Sequence, residues 1–210
     1  MAKLLRRRKC VDAVLETLVA NAQVTDPNSA KGRLMRAAAH LFKHKGYERT
    51  TVRELGAEVG IQSGSLFHHF KSKEDILLAV MEETIIINLA RMHAALAGAS
   101  TPRQRLLALI QCELASVHQD TGEAMSVLVY EWRSLKADNQ QRILNLRNEY
   151  EQLWMDAIEA GKKEGDIQHE PFILRRLLTG AIGWTTTWYK PEGGLSLNAL
   201  ADQILLLAMR

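Results

Sequence analysis

The side chains best placed to do chemistry in this sequence of 210 residues cluster between Thr51 and Lys73. Gln62, Ser63, Ser65 and His68 present short amide, hydroxyl and imidazole groups on the outward side of one short helical stretch, with Gly64 and Phe67 between them. Such groups suit hydrogen bonding to the base edges and phosphates of a nucleic-acid groove better than bond making. Patterns for catalysis fail one by one. His68 and His69 are helix neighbours about 100° apart and cannot chelate one ion together. Glu113 and His118 are five positions apart and do not share a helix face, and no Glu-x-x-His pair exists for a di-iron site. No Gly-rich phosphate loop, GxSxG or HExxH occurs. Cys10 and Cys112 stand alone, which gives neither a disulfide framework nor a zinc-ligand spacing. We expect no enzyme, no cofactor and no metal.

The elements that must position the cluster read as helices. Leu34, Ala37, Ala38, Leu41 and Phe42 repeat on one helical face, and Gly46 closes that helix. Thr51-Val-Arg-Glu54 is a capping box opening a short helix that ends at Gly60. Ser63 to Phe70 is a second short helix across the turn Gly60-Ile61-Gln62. Val52, Leu55 and Val59 face inward on the first; Ile61, Leu66 and Phe70 do so on the second. This is helix-turn-helix spacing, in which one helix braces and the next enters a groove. An ordinary helical hairpin would have the same spacing. A long helix follows from about Ser72 to Ala97, then one opened by Thr101-Pro102, then helices over 123–135, 139–161, 171–189 and 196–209. The fold class is all-α.

Charge is divided unevenly. Residues 1–75 hold 14 Lys/Arg against 8 Asp/Glu, and the rest hold 13 against 16. A basic first third behind a mildly acidic remainder suggests a polyanionic partner for the first part. No stretch is apolar for long enough to span a bilayer, and Asp12 and Glu16 interrupt what could pass for a signal peptide. A cytoplasmic protein without membrane attachment is expected. Arg6, Arg7, Arg8 and Lys9, with Val11, Val14, Leu15 and Leu18 behind them, read either as a basic arm on an amphipathic helix or as a loose tail.

Residues 34–73, LMRAAAHLFKHKGYERTTVRELGAEVGIQSGSLFHHFKSK, resemble the DNA-binding signature of the TetR family. The matching elements are Ala37-Ala38, Leu41-Phe42, Gly46-Tyr47, Thr51-Val52, Gly60, Gly64-Ser65-Leu66, Phe70 and Lys73. Gly56 replaces the usual Ala, and Phe67 replaces the usual Tyr. The resemblance implies a three-helix DNA-binding domain with a helix-turn-helix, followed by a larger helical ligand-binding and dimerisation domain. It implies that Thr51 and Lys73 touch phosphate and that Gln62, Ser63, Ser65 and His68 face the groove of double-stranded operator DNA. The domain boundaries expected are a basic extension over 1–28, the DNA-binding domain over 29–75 and the sensor domain over 76–210.

In this family the last two helices of each subunit form a homodimer interface. Ala181 on helix 171–189, and Leu197, Ala201, Ile204 and Leu205 on helix 196–209, are the expected seam. Met92, His93, Gln111, Tyr130, Arg133, Tyr150, Trp154 and Trp188 are candidate cavity residues for a small hydrophobic effector. Arg147 and Arg175 join Arg133 as candidate partners for effector phosphates. The run GWTTTWYKPEGG is similar to branches of the family that sense acyl-CoA thioesters. The function implied is a repressor that leaves a pseudo-palindromic operator when such an effector binds. Sensing of drugs or aromatic compounds is an alternative, and a non-sensing architectural DNA binder is another.

Overall fold

The protein is described from a computed structural model, over residues 13–209. Every regular element there is helical: α1 (13–20), α2 (Ala30–Lys45), α3 (Val52–Glu58), α4 (Ser63–Leu66), α5 (Lys73–Leu96), α6 (Pro102–His118), α7 (Gly122–Tyr130), α8 (Ala137–Glu164), α9 (Pro171–Trp188) and α10 (Leu197–Ala208). A single 3-10 turn, Trp132–Ser134, precedes α8. Among the described residues no helix is long and apolar enough to cross a membrane.

Local chemistry fixes most boundaries. The Ser29 hydroxyl accepts from Gly32 N–H at 3.0 Å and starts α2. Gly32 itself passes so close to the 26–27 backbone that a Cβ there would stand 2.2 Å from the Asp26 carbonyl oxygen. Gly46, at φ +90°, ends α2 in a conformation that L side chains rarely adopt. Thr101 and Gln104 form a reciprocal capping box at α6, with Pro102 in its first turn. Ser196 caps α10 by accepting from Ala199 N–H.

The chain falls into two compact units whose boundaries lie within α5, between α6 and α7, and within α8. The first comprises the chain up to Ile87 together with Thr121–Arg147. Its core is built from Leu34, Ala38, Phe42, Tyr47, Leu55, Leu66, Ile76, Leu77 and Met81, with Phe42 and Tyr47 packed edge to face at 5.3 Å. Buried Glu74 accepts from Lys136 N–H at 2.9 Å and from the Asn139 amide at 2.8 Å, tying the start of α5 to the start of α8. The second unit comprises Asn88–Asp120 and Asn148–Arg210. It packs α6, α9 and α10 around the fully buried Trp154.

Three expectations change. The helix expected over 63–70 is α-helical only through Leu66; beyond it, Phe67, His68 and His69 N–H bond three residues back in tight turns. The helix expected over 123–135 stops at Tyr130 and gives way to the 3-10 turn. Of the N-terminal extension, 13–20 is helical, Leu18 and Val24 are buried, and Thr25 donates to Glu83 on α5 from both its N–H (2.9 Å) and its hydroxyl (2.7 Å). Residues 13–28 are therefore not a loose tail. Arg6, Arg7, Arg8, Lys9 and Val11 lie outside the described residues.

Candidate nucleic-acid interface and sensor unit

The bracing helix α3 is held by its own first turn. The Thr51 hydroxyl accepts from Glu54 N–H at 3.2 Å, and Thr51 N–H donates to Glu54 Oε2 at 2.8 Å. The same carboxylate takes a hydrogen bond from Lys45 at the end of α2. That bond, followed by those from Thr51, holds the Glu54 carboxyl down at about 2. Thr51 is exposed although it is bonded, so its hydroxyl keeps acceptor capacity toward solvent.

Gly60 makes the turn with φ +72°, and a Cβ placed there would meet nothing within 4 Å, so backbone conformation rather than space demands glycine. Leu55, Leu66 and Phe70 are buried, while Val52, Val59 and Ile61 are half-buried. That anchoring leaves Gln62, Gly64, Ser65, Phe67, His68 and His69 exposed together on and just after α4, with Ser63 as its first residue. The structure thus gathers Gln62, Ser65 and His68 of the sequence-predicted groove residues into one solvent-facing row.

Lys73 is placed differently. Its ammonium donates to the carbonyls of Tyr47 (2.9 Å) and Thr50 (3.0 Å) and sits 4.1 Å from the centre of the Tyr47 ring. Two of its three N–H groups are therefore spent inside the protein, and one is left for an outside acceptor. Burial, then the nearby carboxylates Glu74, Glu48 and Asp75, push the Tyr47 phenol up to about 12, so it stays protonated.

The candidate effector residues do not form one lining. Met92 and Trp154 have no exposed surface and belong to the packed core of the second unit. Tyr150 donates its hydroxyl to Glu113 Oε2 at 2.9 Å; burial, then Glu113, holds that phenol well above its ordinary range. Gln111 is half-buried, whereas His93 is exposed and pairs with Glu149 at 3.4 Å. Trp188 is half exposed on α9, and Arg147 is exposed in the first unit. Tyr130 and Arg133 also belong to the first unit and are exposed there. These departures have one cause: mixed aromatic and polar residues at helical spacing serve cores and surfaces alike, and periodicity cannot separate the two.

Sequence reasoning named Arg175 and Trp154 separately, as a phosphate partner and a cavity residue, and missed that the fold stacks one on the other. The Arg175 guanidinium is buried, stacks 4.2 Å from the Trp154 ring, and bonds Glu151 at 3.0 Å with Glu113 at 3.8 Å. Among the described residues, Arg175 Nη1, Trp154 Nε1 and Arg91 Nε are buried donors without a partner. An arginine on a helix otherwise rich in Leu and Ile was the available signal.

The residues of the expected dimer seam fall partly inside the second unit and partly on its surface. Ala201, Ile204 and Leu205 are buried in the unit's own core, because α10 packs on α6 and α9. Leu197 packs against that core too. Ala181 is exposed, and around it Ile173, Leu177, Trp184 and Trp188 form a single apolar stripe along α9, with Gly180 and Gly183 open beside it. Leu206 and Leu207 are the exposed apolar positions on α10.

Comparison with known proteins agrees with this architecture. The family described as bacterial regulatory proteins, tetR family, matches residues 34–80, and the tetracyclin repressor-like C-terminal domain matches 99–210. The HTH-type transcriptional repressor KstR2 of Mycolicibacterium smegmatis is 27% identical over 190 residues, covering 88% of this chain and 91% of the relative. The crystal structure of superantigen pfit is 52% identical, covers 95% of this chain and 99% of its own, and superposes with a TM-score of 0.83. AibR in complex with isovaleryl coenzyme A and operator DNA shares the fold at 22% identity and a TM-score of 0.77, over 86% of this chain and 98% of its own. With both of its halves matched, this chain belongs to the TetR family and is a transcriptional repressor of that family.

Proposed function

We propose that this repressor binds a pseudo-palindromic operator as a homodimer and releases it when a hydrophobic effector of the acyl-CoA class enters the second unit. The exposed row of Gln62, Gly64, Ser65, Phe67 and His68, on and around α4 and braced from behind by Leu66 and Phe70, carries the DNA part, and Ser63 joins it as a groove contact. Thr51 and the remaining N–H of Lys73 flank that row as phosphate contacts. The reading head spans 29–75 behind an extension over 1–28, and 76–210 serves effector binding and dimerisation.

Dimerisation runs through the α9 stripe of Ile173, Leu177, Ala181, Trp184 and Trp188 with Leu206 and Leu207. Large contiguous apolar surface on a folded chain marks an interaction site, and a two-fold operator needs two heads. For the effector, the supporting observation is that two unpartnered buried donors, Trp154 Nε1 and Arg175 Nη1, belong to side chains stacked on each other in the second unit. Buried donors of this kind are satisfied by an acceptor, and a thioester carbonyl or a carboxylate would supply one. AibR, a fold neighbour, takes isovaleryl coenzyme A, which favours the thioester.

Mass spectrometry of material co-purifying with the protein tests the effector class. Binding to genomic fragments, followed by size-exclusion chromatography, tests the dimeric DNA-binding state. Recovery of an acyl-CoA together with a dimer that retains a defined fragment is the expected result. A monomer that binds all fragments equally would contradict it.

A further inference from the structure

His40 and His44 lie one turn apart on α2, their rings 4.5 Å apart, and both aim a nitrogen at the same atom. His40 Nδ1 and His44 Nε2 each stand 3.1 Å from Glu123 Oε1, in the first turn of α7. The three ligand atoms all fall within 4.8 Å of one another. We propose that His40, His44 and Glu123 form a site for a divalent transition metal of the zinc class, which would join α2 to α7 in the first unit.

The distances suit that ion. A tetrahedral zinc with bonds of about 2.1 Å sets its ligand atoms roughly 3.4 Å apart, so both nitrogen–oxygen edges are nearly in place already. Two imidazoles and one carboxylate are a borderline donor set that selects zinc, cobalt or nickel over calcium and magnesium. All three side chains are partly open to solvent, so an ion can enter and water can fill the remaining position. Lys43 is the competing cation at the site among the described residues, its ammonium 4.0 Å from Glu123 Oε1. Its ammonium ends a stem of four rotatable bonds and can swing aside, whereas each imidazole reaches the site through only two. None of the three ligands belongs to the proposed DNA row or to the effector site, so the site stands or falls independently of the proposed function.

Untagged full-length protein, stripped with a chelator, is titrated with Co2+ and then Zn2+. The expected result is one Co2+ per chain with the visible absorption of a tetrahedral site, its displacement by Zn2+, and a rise in Tm with added metal. His44→Ala and Glu123→Gln should each weaken Zn2+ binding by about tenfold or more. Their far-UV circular dichroism should match that of the parent, because the changed side chains are at the surface. Absence of Co2+ uptake by the unmodified protein overturns the proposal whatever the variants do. Equal uptake by the parent and His44→Ala overturns it as well.

Discussion

Lys73 Nζ stands 4.1 Å from the centre of the Tyr47 ring while donating to the Tyr47 carbonyl at 2.9 Å. One side chain at the start of α5 thereby closes the turn between α2 and α3. Lys73→Ala should lower the stability of the first unit by about 1–3 kcal/mol, from two lost hydrogen bonds and a cation–π contact. If the remaining N–H also meets phosphate, the salt dependence of operator binding will flatten in the same variant. Thermal denaturation reads the first effect and anisotropy across salt reads the second. An unchanged Tm would deny the anchoring role.

Gln62→Ala and Ser65→Ala should leave stability alone, because both side chains are exposed. Each should relax base preference at one operator position, by roughly 1–3 kcal/mol, without changing the salt slope. Selection of preferred sequences from a randomised operator library checks this. Uniform weakening on every sequence would mean that these residues touch the backbone only.

The dimer proposal separates two substitutions that look alike in sequence. Trp184→Glu changes an exposed residue of the α9 stripe and should give a folded monomer that no longer holds a two-fold operator. Ile204→Asp places a charge in the buried core of the second unit and should unfold it. Sedimentation velocity with circular dichroism distinguishes the outcomes. A dimeric Trp184→Glu protein would remove α9 from the interface.

Much of this architecture was legible in the residues. The Thr51–Glu54 box, Gly46, Gly60 and Pro102 mark backbone events by local chemistry, and each does so in the structure. The exposed row of α4 followed from the inward positions Leu55, Leu66 and Phe70. Partner choice among apolar faces was not legible. Ile204 and Trp184 both sit on amphipathic helices, and only packing of α10 onto α6 decides which is core. Likewise His40 and His44 share a face by their spacing of four. Glu123 is brought to them by the fold across 83 positions, so the expectation of no metal had no means of seeing the cluster.

His118 gives the second unit a pH dependence. Its Nε2 lies 2.7 Å from the Thr185 hydroxyl and its ring packs 4.9 Å from that of Tyr189; burial holds its pKa below the ordinary 6.5. The folded state therefore favours neutral imidazole. The stability this contributes is fully present above about pH 6.5 and is lost as pH falls toward the lowered folded value. His118→Asn should flatten the change in Tm between pH 7 and pH 5 compared with the parent. Identical pH profiles for the two proteins would show that His118 makes no such contribution.

An acyl-CoA that loosens the repressor's hold on DNA is the centre of the proposed function. Fluorescence anisotropy of the protein on its preferred operator, titrated in parallel with an acyl-CoA, the matching free acid and an aromatic cationic drug, tests it directly. Release by the thioester is expected at concentrations where the free acid and the drug do little, because only an effector that prefers the DNA-free state can shift the balance. Arg175→Met should blunt that release. Release by the drug alone, with the thioester inert, would contradict acyl-CoA sensing.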